Sequence, residues 1–268
     1  MADAPVYGVI FDLMGTLATY GGTESDLRHA WQRGATGLYH YLQGQDLSVV
    51  PETFAEALQA ATVAEITRQG NNPRAVAVTD VLAVILNQFD FPLSPAQLAD
   101  ADRAYFGPEL DGWQALPGAM EAIESLNEEG LRLAVVSNAP SHLFVDEAIT
   151  RIGLRPYLSP VMSSAKVGVL KPDPRLFLAV VAEWQLDPAH VVVVGDGLAA
   201  DIAGAHAAGM RGVLVHRTMN PSNTDADDAI VPDADLAEIA AVPALLARWQ
   251  AAATSEDHRP ETGFIEDY

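Results

Sequence analysis

Four short stretches carry side chains able to do chemistry: Asp12 and Thr16 in FDLMGTLA, Ser137 and Asn138 in VVSNA, Lys171 in KPDPRLF, and Asp196 with Asp201 in GDGLAAD. Carboxylates, hydroxyls and an ammonium are the groups of nucleophilic and acid–base chemistry and of cation or anion binding. Each stretch alone has a bland reading. Asp12 after a strand is a common turn or helix cap, and Ser137 with Asn138 ahead of a proline makes a turn. Lys171 before Pro172 is a solvated surface lysine, and Asp201 is a favourable charge near a helix N-terminus. Their shared position argues otherwise. Asp12, Ser137 and Asp196 each follow an apolar run, and Lys171 opens the loop ahead of a helix, so four segments bring polar groups to one edge of a sheet. Met14, two residues beyond Asp12, can carry no proton.

The elements that position them alternate. The run VYGVIF, then LRLAVVSN, a short apolar strand near 160–162, VVVVG and GVLVH read as buried strands. Between them PGAMEAIESLNEEG, SHLFVDEAITRIG, DPRLFLAVVAEWQ and DIAGAHAAG read as helices. Short apolar strands alternating with helices predict an α/β fold, a Rossmann-like parallel sheet covered on both faces. From 23 to 106 only helical signals occur: TESDLRHAWQRGATGLYHYLQ, PETFAEALQAATVAEITRQG, RAVAVTDVLAVILNQF and SPAQLADADRAYF. They predict an α-helical bundle inserted after the first strand. The expected division is 1–20 with 112–250 as the core, 21–111 as a helical cap, and 251–268 as a polar, acidic tail. Gly21 with Gly22 and the stretch 107–112 are the expected hinges for cap closure.

Composition limits the function classes. The 268 residues are 49% hydrophobic with a mean hydropathy of +0.11, enough for a large core. Fifteen Lys plus Arg against thirty-six Asp plus Glu give a net charge of −21, with no basic run, which argues against a nucleic-acid partner. No apolar stretch reaches bilayer length and MADAPVYGVIF lacks signal-peptide features, so no membrane partner is expected and the expected location is cytoplasmic. The absence of cysteine removes thiolate chemistry and disulfides. The seven histidines show no paired-ligand spacing and read as packing or surface residues. Trp31, Tyr39 and Tyr41 read as cap packing, and Arg28 and Arg33 as candidate cap contacts to an anionic substrate.

Taken together, FDLMGTLA, VVSNA, KPDPRLF and GDGLAAD resemble, in order and spacing, the four motifs of the haloacid dehalogenase-like hydrolases, specifically the branch with a helical cap after the first motif. The resemblance spans roughly residues 5–246. It implies Asp12 as a nucleophile that forms an aspartyl-phosphate intermediate, and Mg²⁺ held by Asp12, Asp196 and the Met14 backbone carbonyl. Asp201 would order the metal's waters or Lys171. Thr16, Ser137, backbone N–H groups near Asn138, and Lys171 would hold the phosphoryl group of a small anionic substrate. Oligomeric state is left open.

Met14 departs from the pattern, since family phosphatases usually carry a second aspartate there, which protonates the leaving group. That help is worth about 10²–10⁴-fold. The expectation is a Mg²⁺-dependent phosphatase of a small phosphorylated metabolite, weakened or selective for good leaving groups. A 2-haloacid dehalogenase is an alternative, because halide needs no proton; a weak or inactive metal-binding relative is another. A Schiff-base phosphonatase is excluded, because the only lysines are Lys166 and Lys171 and the cap has none.

Overall fold

A strand with no polar face must be covered on both sides, and the central strand of this protein, Gly8–Phe11, is fully buried. The computed structural model describes residues 4–47, 53–54, 75–216, 223 and 229–256. In chain order the elements are β1 (Gly8–Phe11), β2 (Ala18–Tyr20), α1 (Glu24–Gly44), α2 (Val78–Gln88), α3 (Pro95–Leu110) and β3 (Trp113–Ala115). There follow α4 (Ala119–Glu128), β4 (Arg132–Ser137), α5 (His142–Arg151), β5 (Val161–Ser163), α6 (Ser164–Val167) and α7 (Pro174–Trp184). The chain continues through β6 (Val191–Gly195), α8 (Ala203–Ala207), β7 (Arg211–Val215), β8 (Ala234–Leu236) and α9 (Val242–Glu256).

Six strands form one sheet in the order β5-β4-β1-β6-β7-β8, every neighbouring pair parallel. Alternate residues feed two cores. Val9, Phe11, Val135, Val192 and Val194 enter one cluster with α4, α5 and α9, whereas Ile10, Val136, Val191 and Val193 enter another with α7. The expected α/β fold with a parallel sheet and an interspersed helical cap region is what the chain adopts.

The cap has its own cluster, in which Leu38 and Leu42 of α1 meet Leu82, Ile85 and Leu86 of α2 and Ala101 of α3, with Tyr39 and Tyr41 packed on its margin. Its helix starts are specified locally. Thr23 and Asp26 form a reciprocal capping box at α1, and Ser94 with Gln97 does the same at α3, where Pro95 occupies the first turn. The helical signal at 51–70 lies outside the described residues apart from 53–54.

Several boundaries differ from expectation. Gly107 and Pro108 do not break the chain: α3 runs through them to Leu110, because Phe106 and Leu110 are both buried and their packing outweighs two local breakers. The two crossings between cap and core are the strands β2 and β3, paired antiparallel with Ala18 opposite Ala115 and Tyr20 opposite Trp113. The Gly21 N–H extends the pairing to the Gly112 carbonyl at 2.8 Å. A Cβ on Gly112 would lie 2.2 Å from the Tyr20 ring, so this glycine is required for close approach rather than for freedom of movement. Of the stretch 251–268, residues 251–256 continue α9 to Glu256, and 257–268 lie outside the described residues. Among the described residues no helix is long and apolar enough to cross a membrane.

Candidate active site

The central strand delivers Asp12. Its N–H donates to the Val194 carbonyl at 2.9 Å, so the β1–β6 ladder fixes the backbone up to the residue that carries the carboxylate. The chain then turns sharply: Leu17 and Ala18 N–H groups both return to the Leu13 carbonyl, and Gly15 takes a φ of +89°. A side chain at Gly15 is excluded twice, by that left-handed backbone and by Asp196, whose Oδ2 would lie 2.2 Å from a Cβ. This turn buries Thr16 beneath the sheet edge, with its hydroxyl lacking any hydrogen-bond partner among the described residues. A buried donor without a partner costs stability, and a bound oxyanion would supply the missing acceptor.

Next door, Asp196 follows β6, and Asp201 lies on a wide π-type turn over Leu198–Ile202. One oxygen of Asp201 accepts the Gly197 N–H at 2.9 Å and the other accepts from Lys171 at 2.7 Å. The Lys171 ammonium also donates to Asp12 Oδ1 at 2.5 Å and to the Val136 carbonyl at 3.3 Å, so all three of its protons are directed. It is therefore not the solvated lysine of the bland reading. Burial disfavours its charge, but Asp12 and Asp201 more than reverse this and hold the ammonium well above its ordinary range. Burial pushes Asp12 up to about 7, helped by Asp201 and Asp196 and opposed by Lys171.

Carboxylate oxygens of Asp12, Asp196 and Asp201 all lie within 4.8 Å of one another. Three carboxylates against one lysine leave two negative charges, and an all-oxygen donor set suits a hard divalent cation such as Mg²⁺. The side chains present fit such an ion.

Ser137, Asn138, Met14 and Thr16 gather at the same edge, but in different ways. Ser137 ends β4 and lines a cavity shared with the cap, as does Met14, which is 63% exposed. Asn138 turns its amide toward the backbone of Lys171, accepting the Lys171 N–H at 2.8 Å and donating to the Lys171 carbonyl at 3.2 Å. Arg28 pairs with Glu24 on the exposed face of α1. Trp31 does more than pack the cap, because it lines the cavity and donates to Glu109 at 2.8 Å.

Sequence reasoning missed three residues that shape this region. Ser164 both donates to the Ala139 carbonyl and accepts its N–H, each at 3.0 Å, pinning the loop after β4. Asn223 bridges the Leu198 N–H and the Asp196 carbonyl, each at 2.8 Å. Glu109 faces the cavity from α3. Each makes a contact with an element distant in the chain, Glu109 with Trp31 of α1.

Comparison with known proteins agrees with the fold. A 103-residue stretch is 39% identical to the mouse (Mus musculus) haloacid dehalogenase-like hydrolase domain-containing protein 3, covering 38% of this chain and 40% of that protein. A 133-residue stretch is 32% identical to a phosphoserine phosphatase of Thermus thermophilus, covering 50% and 53%. The chain thus spans about half the length of the curated relatives it matches. Among solved structures, a 2-haloacid dehalogenase from Pseudomonas syringae superposes with a TM-score of 0.60 at 26% identity, over 91% of this chain and 99% of that one. The family model for haloacid dehalogenase-like hydrolases matches residues 7–209, from the first strand through the last of the four acidic and polar stretches. The chain belongs to that hydrolase family.

Proposed function

We propose that the protein is a Mg²⁺-dependent phosphatase acting on a small phosphorylated molecule through an aspartyl-phosphate on Asp12. The observation that carries this reading is the Asp12 carboxylate, buried yet bonded to a triply coordinated Lys171 and flanked by Asp196 and Asp201. A phosphate dianion can approach a carboxylate only where positive charge offsets the repulsion. Asp12, Asp196 and the Met14 carbonyl would hold Mg²⁺, with Asp201 beside them; the ion supplies positive charge to the phosphoryl oxygens. Thr16, Ser137 and the N–H groups around Asn138 hold those oxygens, and the orphaned Thr16 hydroxyl supports that role. Asp12 attacks phosphorus, the bond to the leaving oxygen breaks, and that oxygen departs with the electron pair. Water then attacks phosphorus, the bond from Asp12 oxygen to phosphorus breaks to restore the carboxylate, and both protons of the water leave with inorganic phosphate.

Met14 gives the leaving oxygen no proton, so the favoured substrates are those whose leaving group is stable as an anion. A second reading is a 2-haloacid dehalogenase, supported by the likeness to the Pseudomonas syringae enzyme and by the non-acid at position 14. The three-carboxylate cluster favours the phosphatase. A weakened metal-binding relative is the third.

The test is phosphate release from p-nitrophenyl phosphate and acetyl phosphate beside chloride release from 2-chloropropionate, each with Mg²⁺ and with EDTA, on wild type and Asp12→Asn. Mg²⁺-dependent phosphate release that disappears in Asp12→Asn is the expected result. EDTA-resistant chloride release would make it a dehalogenase, and no turnover of any substrate would favour the binding relative.

A further inference from the structure

Between the cap and the sheet edge lies a cavity of 660 Å³, within the range of small-molecule sites. Leu13, Met14, Ser137 and Asn138, next to Asp12 in sequence or at the end of β4, line its core side, and the remaining described lining residues are mostly apolar or aromatic. None of the described lining residues is Lys, Arg or His, and the one carboxylate among them is Glu109. Two indoles hold it: Trp31 Nε1 of α1 donates to Oε2 at 2.8 Å, and Trp113 Nε1 of β3 donates to Oε1 at 3.4 Å. Trp113 is in turn braced edge-on against Phe144, with ring centroids 5.2 Å apart.

This arrangement discriminates by charge. Among the described residues, the cation available to a phosphoryl group is Lys171, at the sheet edge. A second anionic group on the leaving portion, a carboxylate or another phosphate, would enter a mostly apolar space beside Glu109, with no countercharge among the described lining residues. An uncharged ring would bury apolar surface against Trp31, Trp113 and Phe106 instead. Met14 adds the chemical half of the same selection, because only an oxygen that leaves readily as an anion, such as a phenolate, does without an acid.

From the cavity and the Glu109 clamp we infer that the substrate's leaving portion is an uncharged aryl group, and that Glu109 is the specificity-determining residue that rejects anionic leaving groups. The bond cleaved rests on the phosphatase reading above; the cavity's preference does not.

Binding separates the two. The full chain, with Mg²⁺ present, is titrated with benzylphosphonate and with 4-carboxybenzylphosphonate, which cannot be hydrolysed, and binding is followed by isothermal titration calorimetry. Wild type binds the uncharged ring at least tenfold more tightly, and Glu109→Gln, which keeps an acceptor for the indoles, narrows that ratio threefold or more. Because each variant is its own control across two ligands, a general loss of stability does not mimic the result. Equal affinities in wild type, no binding of either phosphonate, or a ratio unchanged in Glu109→Gln overturns the inference. Turnover of phenyl phosphate and 4-carboxyphenyl phosphate is measured in parallel. If neither is hydrolysed while the binding preference persists, the phosphatase reading fails and the cavity's selectivity stands.

Discussion

Asn138 clasps the backbone of Lys171 from both sides, its Oδ1 accepting the Lys171 N–H at 2.8 Å and its Nδ2 donating to the Lys171 carbonyl at 3.2 Å. A side chain thereby does the work of a strand neighbour for a residue in a loop. The consequence is positional: Lys171 enters the acidic cluster from a fixed base. Asn138→Ala is expected to lower stability by about 1–2 kcal/mol and to reduce phosphate release by about 10–100-fold, the usual scale for losing a partner that orients a site residue. The check is kcat and KM on p-nitrophenyl phosphate; a positioning loss appears in kcat, and an unchanged kcat would sink the idea.

Removing the ammonium itself exposes the charge imbalance. Lys171→Met leaves Asp12, Asp196 and Asp201 facing one another in a buried site, and breaking a buried pair costs on the order of 3–5 kcal/mol. Added Mg²⁺ replaces part of the lost positive charge. Melting curves with EDTA and with Mg²⁺ are therefore expected to show a larger Mg²⁺-induced rise in Tm for Lys171→Met than for wild type. An equal rise in both proteins would show that the ion does not bind among these carboxylates.

Met14 is exposed and lines the cavity, so a substitution there changes chemistry with little effect on packing. Met14→Asp is expected to raise turnover of alkyl phosphates by about 10²-fold or more, the scale of general acid catalysis, and to change aryl phosphates much less. The comparison is kcat/KM for phenyl and propyl phosphate in both proteins. A uniform change across the two substrates would mean that leaving-group protonation is not what position 14 controls.

The cap meets the core through a buried carboxyl group. Asp102 of α3 accepts the hydroxyl proton of Ser141 at 2.8 Å, and burial pushes its pKa up from 3.8 to about 6, with Ser141 opposing. A carboxyl whose folded pKa is raised favours folding when protonated. Its contribution is complete below the unfolded value of about 4 and is lost as pH rises through about 6. Asp102→Asn keeps an acceptor for Ser141 without the charge, so at pH 7.5 the variant is expected to be more stable than wild type by about 1–2 kcal/mol. The gap is expected to close by pH 4.5. Thermal melts at the two pH values test this, and a gap independent of pH would remove Asp102 titration as its cause.

Much of this architecture is legible in the residues because buried parallel strands are continuous apolar runs. VIF, LAVVS, VVVVG and GVLV stand out for that reason, and the groups at their ends stand out because carboxylates and a lysine rarely follow such runs together. The three-residue strands β2, β3 and β8 do not stand out, since their burial is mixed and their stability comes from pairing partners far away in the chain. Gly107 and Pro108 read as a connector because local propensity says so, and the burial of Phe106 and Leu110 overrules it. The Trp31–Glu109–Trp113 contact draws its residues from α1, α3 and β3, so no spacing in the sequence announces it. Lys171 could be recognised as a candidate, but its three-way coordination needed the fold.

The paired strands β2 and β3 have a mechanical consequence. Two independent linkers would let the cap twist, slide and tilt separately, whereas two crossings bonded to each other act as one strap with a single easy bending axis. At one end of that strap Leu17 accepts the Leu116 N–H at 2.9 Å, directly beside Thr16, and near the other Trp113 bonds to Glu109. The buried hydroxyl at the sheet edge and the indole on the cavity wall thus sit at the two ends of one hydrogen-bonded strand pair. On the proposed phosphatase reading, a tilt of the cap that widens the cavity at Trp113 is expected to load the turn that carries Thr16, so that entry of the leaving portion and hold on the anion would be parts of one movement.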